Sequence, residues 1–61
     1  MELKQVLMDI KGFTSGEAEI EMNEARQQLT EYIDEGDSEA AYDICNEFWN
    51  LEPDYLDDLI L

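Results

Sequence analysis

The chain has 61 residues, of which 44% are hydrophobic, and its 17 Asp and Glu against 3 Lys and Arg give a formal net charge of −14. The apolar content excludes a disordered acidic tail, and the negative charge disfavours direct binding to nucleic acid or to anionic membranes. With no His and a single Cys, the usual zinc sites and the Cys-His and Ser-His nucleophile pairs cannot be built. We therefore expect no enzyme, no catalytic residue, no metal and no cofactor.

The single cysteine, Cys45, excludes an intrachain disulfide and is typical of a reducing cytosol. Charged residues interrupt the apolar residues of segment 1–13, so this segment resembles neither a signal peptide nor a membrane span. We accordingly expect a cytoplasmic protein without a membrane partner. A domain of about 60 residues buries only about 60% of its unfolded surface, so the core must be small.

The first predicted helix has apolar residues at helical spacing, which places them on one face. They are Leu3, Val6, Leu7 and Ile10. Gly12 is expected to end this helix in a left-handed conformation. The residues that follow predict a capping box, in which Thr14 caps the second helix and Glu17 reaches back to it. Phe13 is expected to pack on Ala18 as a hydrophobic staple.

The second predicted helix runs to about Glu35, and its apolar residues alternate steps of four and three, as in a coiled-coil seam. This seam consists of Ala18, Met22, Ala25, Leu29 and Tyr32. Gly36 closes the helix, and Asp37 or Ser38 caps a third one. The inward residues expected for the third helix are Ala41, Ile44, Cys45 and Phe48, with Tyr42 and Trp49 on a flanking face.

A short last helix begins at Pro53, which the first turn of a helix tolerates. Its apolar face holds Tyr55, Leu56, Leu59 and Ile60. No alternating strand pattern competes with this interpretation, and the short joints force neighbouring helices into antiparallel hairpins. The prediction is one all-α domain over residues 1–61, a compact three- or four-helix bundle built from antiparallel helical hairpins.

Residues of the second half match a known repeat at several positions. The matching residues are Tyr32, Gly36-Asp37, Ala41 and Leu51-Glu52-Pro53-Asp54-Tyr55. With them, the stretch from Met22 to Tyr55 resembles a single tetratricopeptide repeat, a helical hairpin with a period of about 34 residues. The resemblance implies that Ala41 lets two helices approach closely and that Pro53 begins the next helix. It also implies a groove that cradles a peptide.

Four carboxylates in the turn 34–39 invite a calcium site, but the glycine comes too early for an EF-hand and no Glu closes the loop. The alternative is that Asp37 caps the third helix and Glu39 favours its positive N-terminus. Weak divalent binding at this turn stays open beside the prediction of no metal site.

The acidic residues of the chain are arranged as well as numerous, because several share a stripe on the second helix opposite its seam. We call the following set the acidic face: Glu17, Glu21, Glu24, Glu31, Glu35, Glu39, Asp43, Glu47, Asp54, Asp57 and Asp58. Solubility needs a net charge of magnitude only about 2 to 8. The surplus costs stability through self-repulsion, which predicts a basic partner that neutralises it.

A protein groove that holds duplex phosphates with Lys and Arg would equally accept a rigid helix edged with carboxylates. In size, charge and helicity the chain resembles small acidic phage and plasmid proteins that occupy the DNA site of a host restriction, repair, CRISPR or chromatin protein. The resemblance implies a non-enzymatic inhibitor that mimics DNA and that acts in the host cytoplasm if the chain is phage-encoded. Its partner is then a basic, nucleic-acid-binding protein of host defence or DNA processing.

The alternative function is a small helical adaptor or regulatory interaction module of the tetratricopeptide type. It would bind one basic protein surface through an apolar patch with acids at its rim, because aromatic residues dominate interface energetics once desolvated. The candidate anchors are Tyr42, Trp49 and Tyr55, with Phe13 as a further one. Burial of the same aromatics in the core, or use of them in a homodimer, are the competing interpretations.

Overall fold

The computed structural model describes residues 3–60, and Met1, Glu2 and Leu61 lie outside the described residues. The prediction that segment 1–13 is neither a signal peptide nor a membrane span includes the first two of these residues. Within this range the chain is 83% helical and contains no strand, which confirms the all-α prediction. The elements in chain order are α1 (Leu3–Lys11), α2 (Ser15–Asp34), α3 (Ser38–Tyr42), α4 (Ile44–Trp49), a 3₁₀ turn (Pro53–Tyr55) and α5 (Leu56–Ile60). None of the described helices combines the length and the apolar character that a membrane crossing requires.

The joint between α1 and α2 forms as its capping signals predict. Gly12 is left-handed, with a φ of 72° that a residue with a side chain adopts only under strain. The Oγ1 of Thr14 accepts a hydrogen bond from the Glu17 amide at 3.2 Å, and the Glu17 carboxylate accepts one from the Thr14 amide at 2.9 Å. These two bonds confirm the capping box. Phe13 is half-buried against the core and Ala18 is fully buried.

The C-terminus of α2 at Asp34 is closed by Gly36, which has a φ of 76°. The amide of Gly36 donates to the carbonyl of Ile33 at 3.1 Å, and the amide of Asp37 donates to the carbonyl of Tyr32 at 2.9 Å. These are the two hydrogen bonds of a Schellman motif. The helix therefore ends within one residue of the predicted position.

The single third helix predicted from the sequence is in fact two short helices. The side chain of Asp37 accepts a hydrogen bond from the Ala40 amide at 3.1 Å and caps α3. At Asp43 the backbone takes a φ of −93° and a ψ of 7°, outside the helical region, and this separates α3 from α4. The second piece ends at Asn50, whose φ of 56° is left-handed. The break raises the helix number above the predicted three or four.

The core is one cluster to which every helix contributes, and α2 packs against α1, α3, α4 and α5. Its buried members are Leu3, Leu7, Ala18, Met22, Ala25, Leu29, Ala41, Ile44, Cys45, Trp49 and Leu59. The predicted α2 seam is thus buried, with Tyr32 half-buried at its end. Pro53 lies in the first turn of the last helical segment, also as predicted.

Three apolar residues differ in exposure from what the helical periodicity predicts. Trp49 is 3% exposed and belongs to the core instead of a flanking face, because the break at Asp43 ends its register with Tyr42. Ile10 and Ile60, both predicted to face inward, are 63% and 60% exposed. They lie in the last turns of α1 and α5.

Candidate interaction surfaces

Most of the acidic face is exposed and free of internal partners. Within residues 3–60, the exposed members whose carboxylates accept no hydrogen bond and form no ion pair are Glu24, Glu31, Glu35, Glu39, Asp43, Asp54 and Asp57. They are distributed over α2 and its C-cap, α3, the Asp43 joint, the 3₁₀ turn and α5. A basic partner can therefore approach these carboxylates without breaking internal contacts.

Four members of the acidic face have hydrogen-bond partners within the fold. The sequence predicts only one of these contacts, that of Glu17 in the capping box. Glu17 completes the capping box, and both carboxylate oxygens of Glu47 accept from the Tyr32 hydroxyl, at 2.9 and 3.0 Å. The half-buried Asp58 accepts from the backbone amide of Leu3 at 2.6 Å. This last bond joins the start of α1 to α5.

Glu21 is the member whose environment differs most from the prediction. It is half-buried, and its Oε1 accepts a hydrogen bond from the indole Nε1 of Trp49 at 3.1 Å. Its carboxylate thus borders the core, whereas the sequence places it on a stripe opposite the apolar seam. The buried indole needs an acceptor, so this carboxylate is held by the fold.

The described cations relieve little of the negative charge. Lys4 pairs with Glu19 at 3.2 Å, the one ion pair found within residues 3–60. Arg26 instead donates to the carbonyls of Leu59 at 3.2 Å and Asp58 at 3.5 Å, at the C-terminal end of α5. Its positive charge there interacts favourably with the negative C-terminal end of the helix dipole.

The dimensions of the chain give this charge a definite density. The Cα trace extends 32 × 19 × 18 Å. Sixteen of the 17 carboxylates lie within residues 3–60, so one occurs per about 2 Å of the 32 Å axis, or about 2.5 Å net of the three cations. A DNA duplex carries one phosphate charge per about 1.7 Å of its axis. The two linear densities are therefore of the same order.

The candidate aromatic anchors lie at different depths. Tyr42 is 61% exposed and stands on the surface. Tyr55 and Phe13 are half-buried and pack against the core. Trp49 is buried, edge-on to Phe48 with ring centroids 5.7 Å apart, and offers no free surface. Of the four, only Tyr42 keeps most of its surface for a partner.

Tyr42 also borders an open apolar groove. The groove has a volume of about 290 Å³ and lies between α2, α3 and α5. We call it the apolar groove; it is lined by Leu29, Ile33, Gly36, Ser38, Ala41, Tyr42, Leu56 and Ile60. Ile33, a large apolar residue outside the α2 seam, is among these lining residues.

Two side chains have pKa values displaced by their surroundings. Burial raises the pKa of the Cys45 thiol, and the carboxylate of Asp58 raises it further. The hydrogen bond to Glu47 raises the pKa of Tyr32, with smaller contributions from desolvation and from Asp37 and Glu35. Both groups thus stay protonated near neutral pH, and Cys45, at 0% exposure, is closed to solvent.

The acidic turn 34–39 does not assemble a metal site in the structure. Within residues 3–60, no group of three or more Asp, Glu or Cys side chains is placed to hold a metal ion. Asp37 instead caps α3, as the alternative interpretation of the turn expects. Calcium binding at this turn gains no support from the geometry.

No family model, curated protein or solved structure matches this chain. The resemblances to acidic DNA-mimicking inhibitors and to a tetratricopeptide repeat therefore stay predictions. Function has to be argued from the acidic face and the apolar groove themselves.

Proposed function

We propose that the protein is a non-enzymatic inhibitor that occupies the nucleic-acid site of a basic protein by presenting carboxylates in place of phosphates. The observation that supports the proposal is the charge density, about one carboxylate per 2 Å along a 32 Å axis. A cleft lined with Lys and Arg to hold one phosphate per about 1.7 Å would meet a comparable number of anions per unit length.

The exposed carboxylates supply the attraction, and the helical core supplies the rigidity. Seven of the eleven members of the acidic face have no internal partner within residues 3–60. Such a field steers a basic partner and speeds association, and its effect falls steeply with ionic strength. Inhibition follows by competition, since the same cleft cannot hold the protein and a duplex together.

The proposal is tested with the full chain immobilised as bait for a bacterial lysate. Bound proteins are eluted first with duplex DNA and then with a salt gradient. We expect nucleic-acid-binding proteins in the DNA eluate. Retained proteins that resist both duplex DNA and salt would contradict the mimicry.

A matched pair of variants separates the acidic face from net charge alone. The first double variant is Glu24→Lys with Glu31→Lys, and the second is Asp9→Lys with Glu52→Lys. Each shifts the net charge from −14 to −10, but only the first pair belongs to the acidic face. All four residues are exposed, so neither pair disturbs the core. We expect the first pair to weaken binding to the DNA-eluted protein at least about tenfold more than the second, a difference of about 1.4 kcal/mol. Equal losses would assign the binding to net charge.

The alternative role, a helical adaptor, is favoured by one specific observation. The apolar groove is open, and the large apolar side chains of Ile33, Tyr42 and Ile60 stand exposed around it. Apolar surface gathered in this way is typical of a protein interaction site. Binding there would depend on apolar side chains of the partner that insert into the groove. Duplex DNA would not displace such a partner, because DNA competes only for the partner's Lys and Arg side chains.

A further inference from the structure

The apolar groove has a buried floor and exposed walls. Leu29 and Ala41 are 5% and 7% exposed and lie at its base. Ile33, Tyr42 and Ile60 stand around it with 60%, 61% and 60% of their surfaces exposed. Three of the five most exposed large apolar residues of the described chain thus surround one cleft.

The charged residues next in sequence to the lining of this cleft are acidic on α2, α3 and α5 alike. The residues directly adjacent in sequence to the lining residues include Asp34, Glu35, Asp37, Glu39, Asp43 and Asp57, and no Lys or Arg. The nearest cation along α2, Arg26, is bonded to backbone carbonyls of α5. The groove is therefore apolar inside, and we call the six carboxylates adjacent in sequence to its lining the rim carboxylates.

This charge pattern decides between possible occupants. A second copy of the chain would bring two acidic rims together, each on a chain of net charge −14, and the repulsion opposes such a dimer. A complementary occupant is apolar on one side and carries basic residues beside that side. An amphipathic helix that lays its apolar face into a groove has this form when Lys and Arg flank that face.

The volume limits the length of the occupant. At about 290 Å³ the groove lies at the lower end of the range of about 300–1,000 Å³ found for ligand pockets. It therefore accommodates a few apolar side chains, as one or two turns of a helix supply at positions i, i+3 and i+4.

We propose that the apolar groove binds a short, basic amphipathic helical segment of a partner protein. The apolar side chains enter between Ile33, Tyr42 and Ile60, and the Lys and Arg side chains pair with the rim carboxylates. This inference rests on the adaptor role and is independent of the mimicry, because it requires an apolar face that a duplex lacks.

The test uses the full chain and two fluorescent peptides of identical composition. One peptide has Leu at i, i+3, i+4 and i+7 with Lys between, and the other has the same residues scrambled so that no apolar face forms. Fluorescence anisotropy is expected to give at least tenfold tighter binding of the amphipathic peptide. Amide NMR shifts on binding are expected to concentrate at Gly36, Ser38 and Tyr42. Equal binding of both peptides would overturn the proposal, because charge alone would then explain it.

Two isoleucines of α2 provide a matched pair of variants. Ile33 and Ile20 are 60% and 59% exposed, but only Ile33 lines the groove. We expect Ile33→Gln to weaken binding of the amphipathic peptide at least tenfold and Ile20→Gln to leave it unchanged. Circular dichroism verifies that both variants fold. Equal effects would place the peptide elsewhere, and a dimer that Ile33→Gln dissociates would make a second copy the occupant; either result overturns the proposal.

The same measurements distinguish this proposal from the mimicry. Glu24→Lys with Glu31→Lys lies outside the groove, so it is expected to weaken both peptides by the same factor. If duplex DNA elutes no captured protein while the amphipathic peptide still binds more tightly than the scrambled one, only the mimicry proposal is contradicted. Loss of peptide selectivity with intact DNA competition would remove the groove proposal alone.

Discussion

The indole Nε1 of Trp49 donates a 3.1 Å hydrogen bond to the Oε1 of Glu21, which ties the end of α4 to α2. Trp49 is 3% exposed, and a buried indole N–H is costly without an acceptor. Glu21 supplies that acceptor at the edge of the core. One carboxylate of the acidic face therefore stabilises the fold, whereas its neighbour Glu24 is exposed and free of such contacts.

We expect Glu21→Ala to lower the free energy of unfolding by about 1–3 kcal/mol, because it leaves the Trp49 indole without its partner. Glu21→Gln keeps an acceptor oxygen and should cost less. Glu24→Ala is the control, since an exposed substitution stays within about 0.5 kcal/mol. Urea unfolding followed by circular dichroism measures all three. Equal stability of Glu21→Ala and Glu24→Ala would show that the hydrogen bond contributes nothing.

The capping box at the start of α2 gives a second expectation. Thr14→Ala removes the acceptor of the 3.2 Å bond from the Glu17 amide and should cost about 1 kcal/mol. Ser15→Ala, at the next and equally exposed position, should change stability by less than about 0.5 kcal/mol. Thermal unfolding of both variants compares them. The cap is unimportant if the two midpoints fall together.

Sequence reasoning predicts the features of this fold that depend on neighbours along the chain. The capping box of Thr14 and Glu17, the left-handed Gly12 and Gly36 and the buried α2 seam are all confirmed. Each is set within about one or two helical turns, where a few side chains and backbone groups determine the conformation. Local chemistry is sufficient for these features.

The features that were missed depend on contacts between distant segments. No Gly or Pro in the sequence indicates the break at Asp43. This break changes the helical register, so that Trp49 lies in the core and not on a flanking face. The bond of Glu21 to Trp49 spans 28 residues, and the apolar groove joins α2, α3 and α5. Periodicity describes one helix at a time, so it cannot place such contacts.

Two glycines should respond to alanine in opposite directions. Gly36 has a φ of 76°, so Gly36→Ala strains the Schellman motif and should cost about 1 kcal/mol. Gly16 lies in the first turn of α2 with nothing within 4 Å of an added Cβ, so Gly16→Ala should stabilise by up to about 1 kcal/mol. Urea midpoints provide the comparison. A shift in the same direction for both would argue against left-handed strain at Gly36.

Stability should decline in alkaline solution. Burial raises the pKa of the Cys45 thiol above its ordinary value of 9.0, so the native state retains a proton that the unfolded chain releases. This contribution is complete below about pH 9 and is lost as the pH rises through the native pKa. Cys45→Ala should have a smaller loss of unfolding free energy between about pH 8 and about pH 11 than the parent chain. An unchanged pH slope would mean that the thiol is not responsible.

The phenol of Tyr32 should add to this decline at higher pH. The hydrogen bond that it donates to Glu47 raises its pKa above 10.0, with the same sign as for the thiol. Tyr32→Phe removes the titration and should flatten the stability profile above about pH 10 while leaving the thiol contribution in place. The difference in tyrosinate absorbance between the parent chain and Tyr32→Phe, recorded over the same pH range, isolates the ionisation of Tyr32 from that of the other two tyrosines. Titration of Tyr32 below pH 10 would contradict the expected direction.

Salt should stabilise the protein, because screening relieves the repulsion among its carboxylates. Carboxylates four residues apart along α2 and its C-cap, such as Glu31 and Glu35, are separated by about 6 Å along the helix axis. Raising NaCl from about 0.01 M to about 1 M shortens the Debye length from about 30 Å to about 3 Å, so the Tm should rise. Glu24→Lys with Glu31→Lys should raise the Tm at low salt and reduce its salt dependence, since each like-charge pair costs a few tenths of a kcal/mol. Asp9→Lys with Glu52→Lys, equal in net charge, should do so less, and a Tm that falls with salt in all three chains would show that self-repulsion does not limit stability.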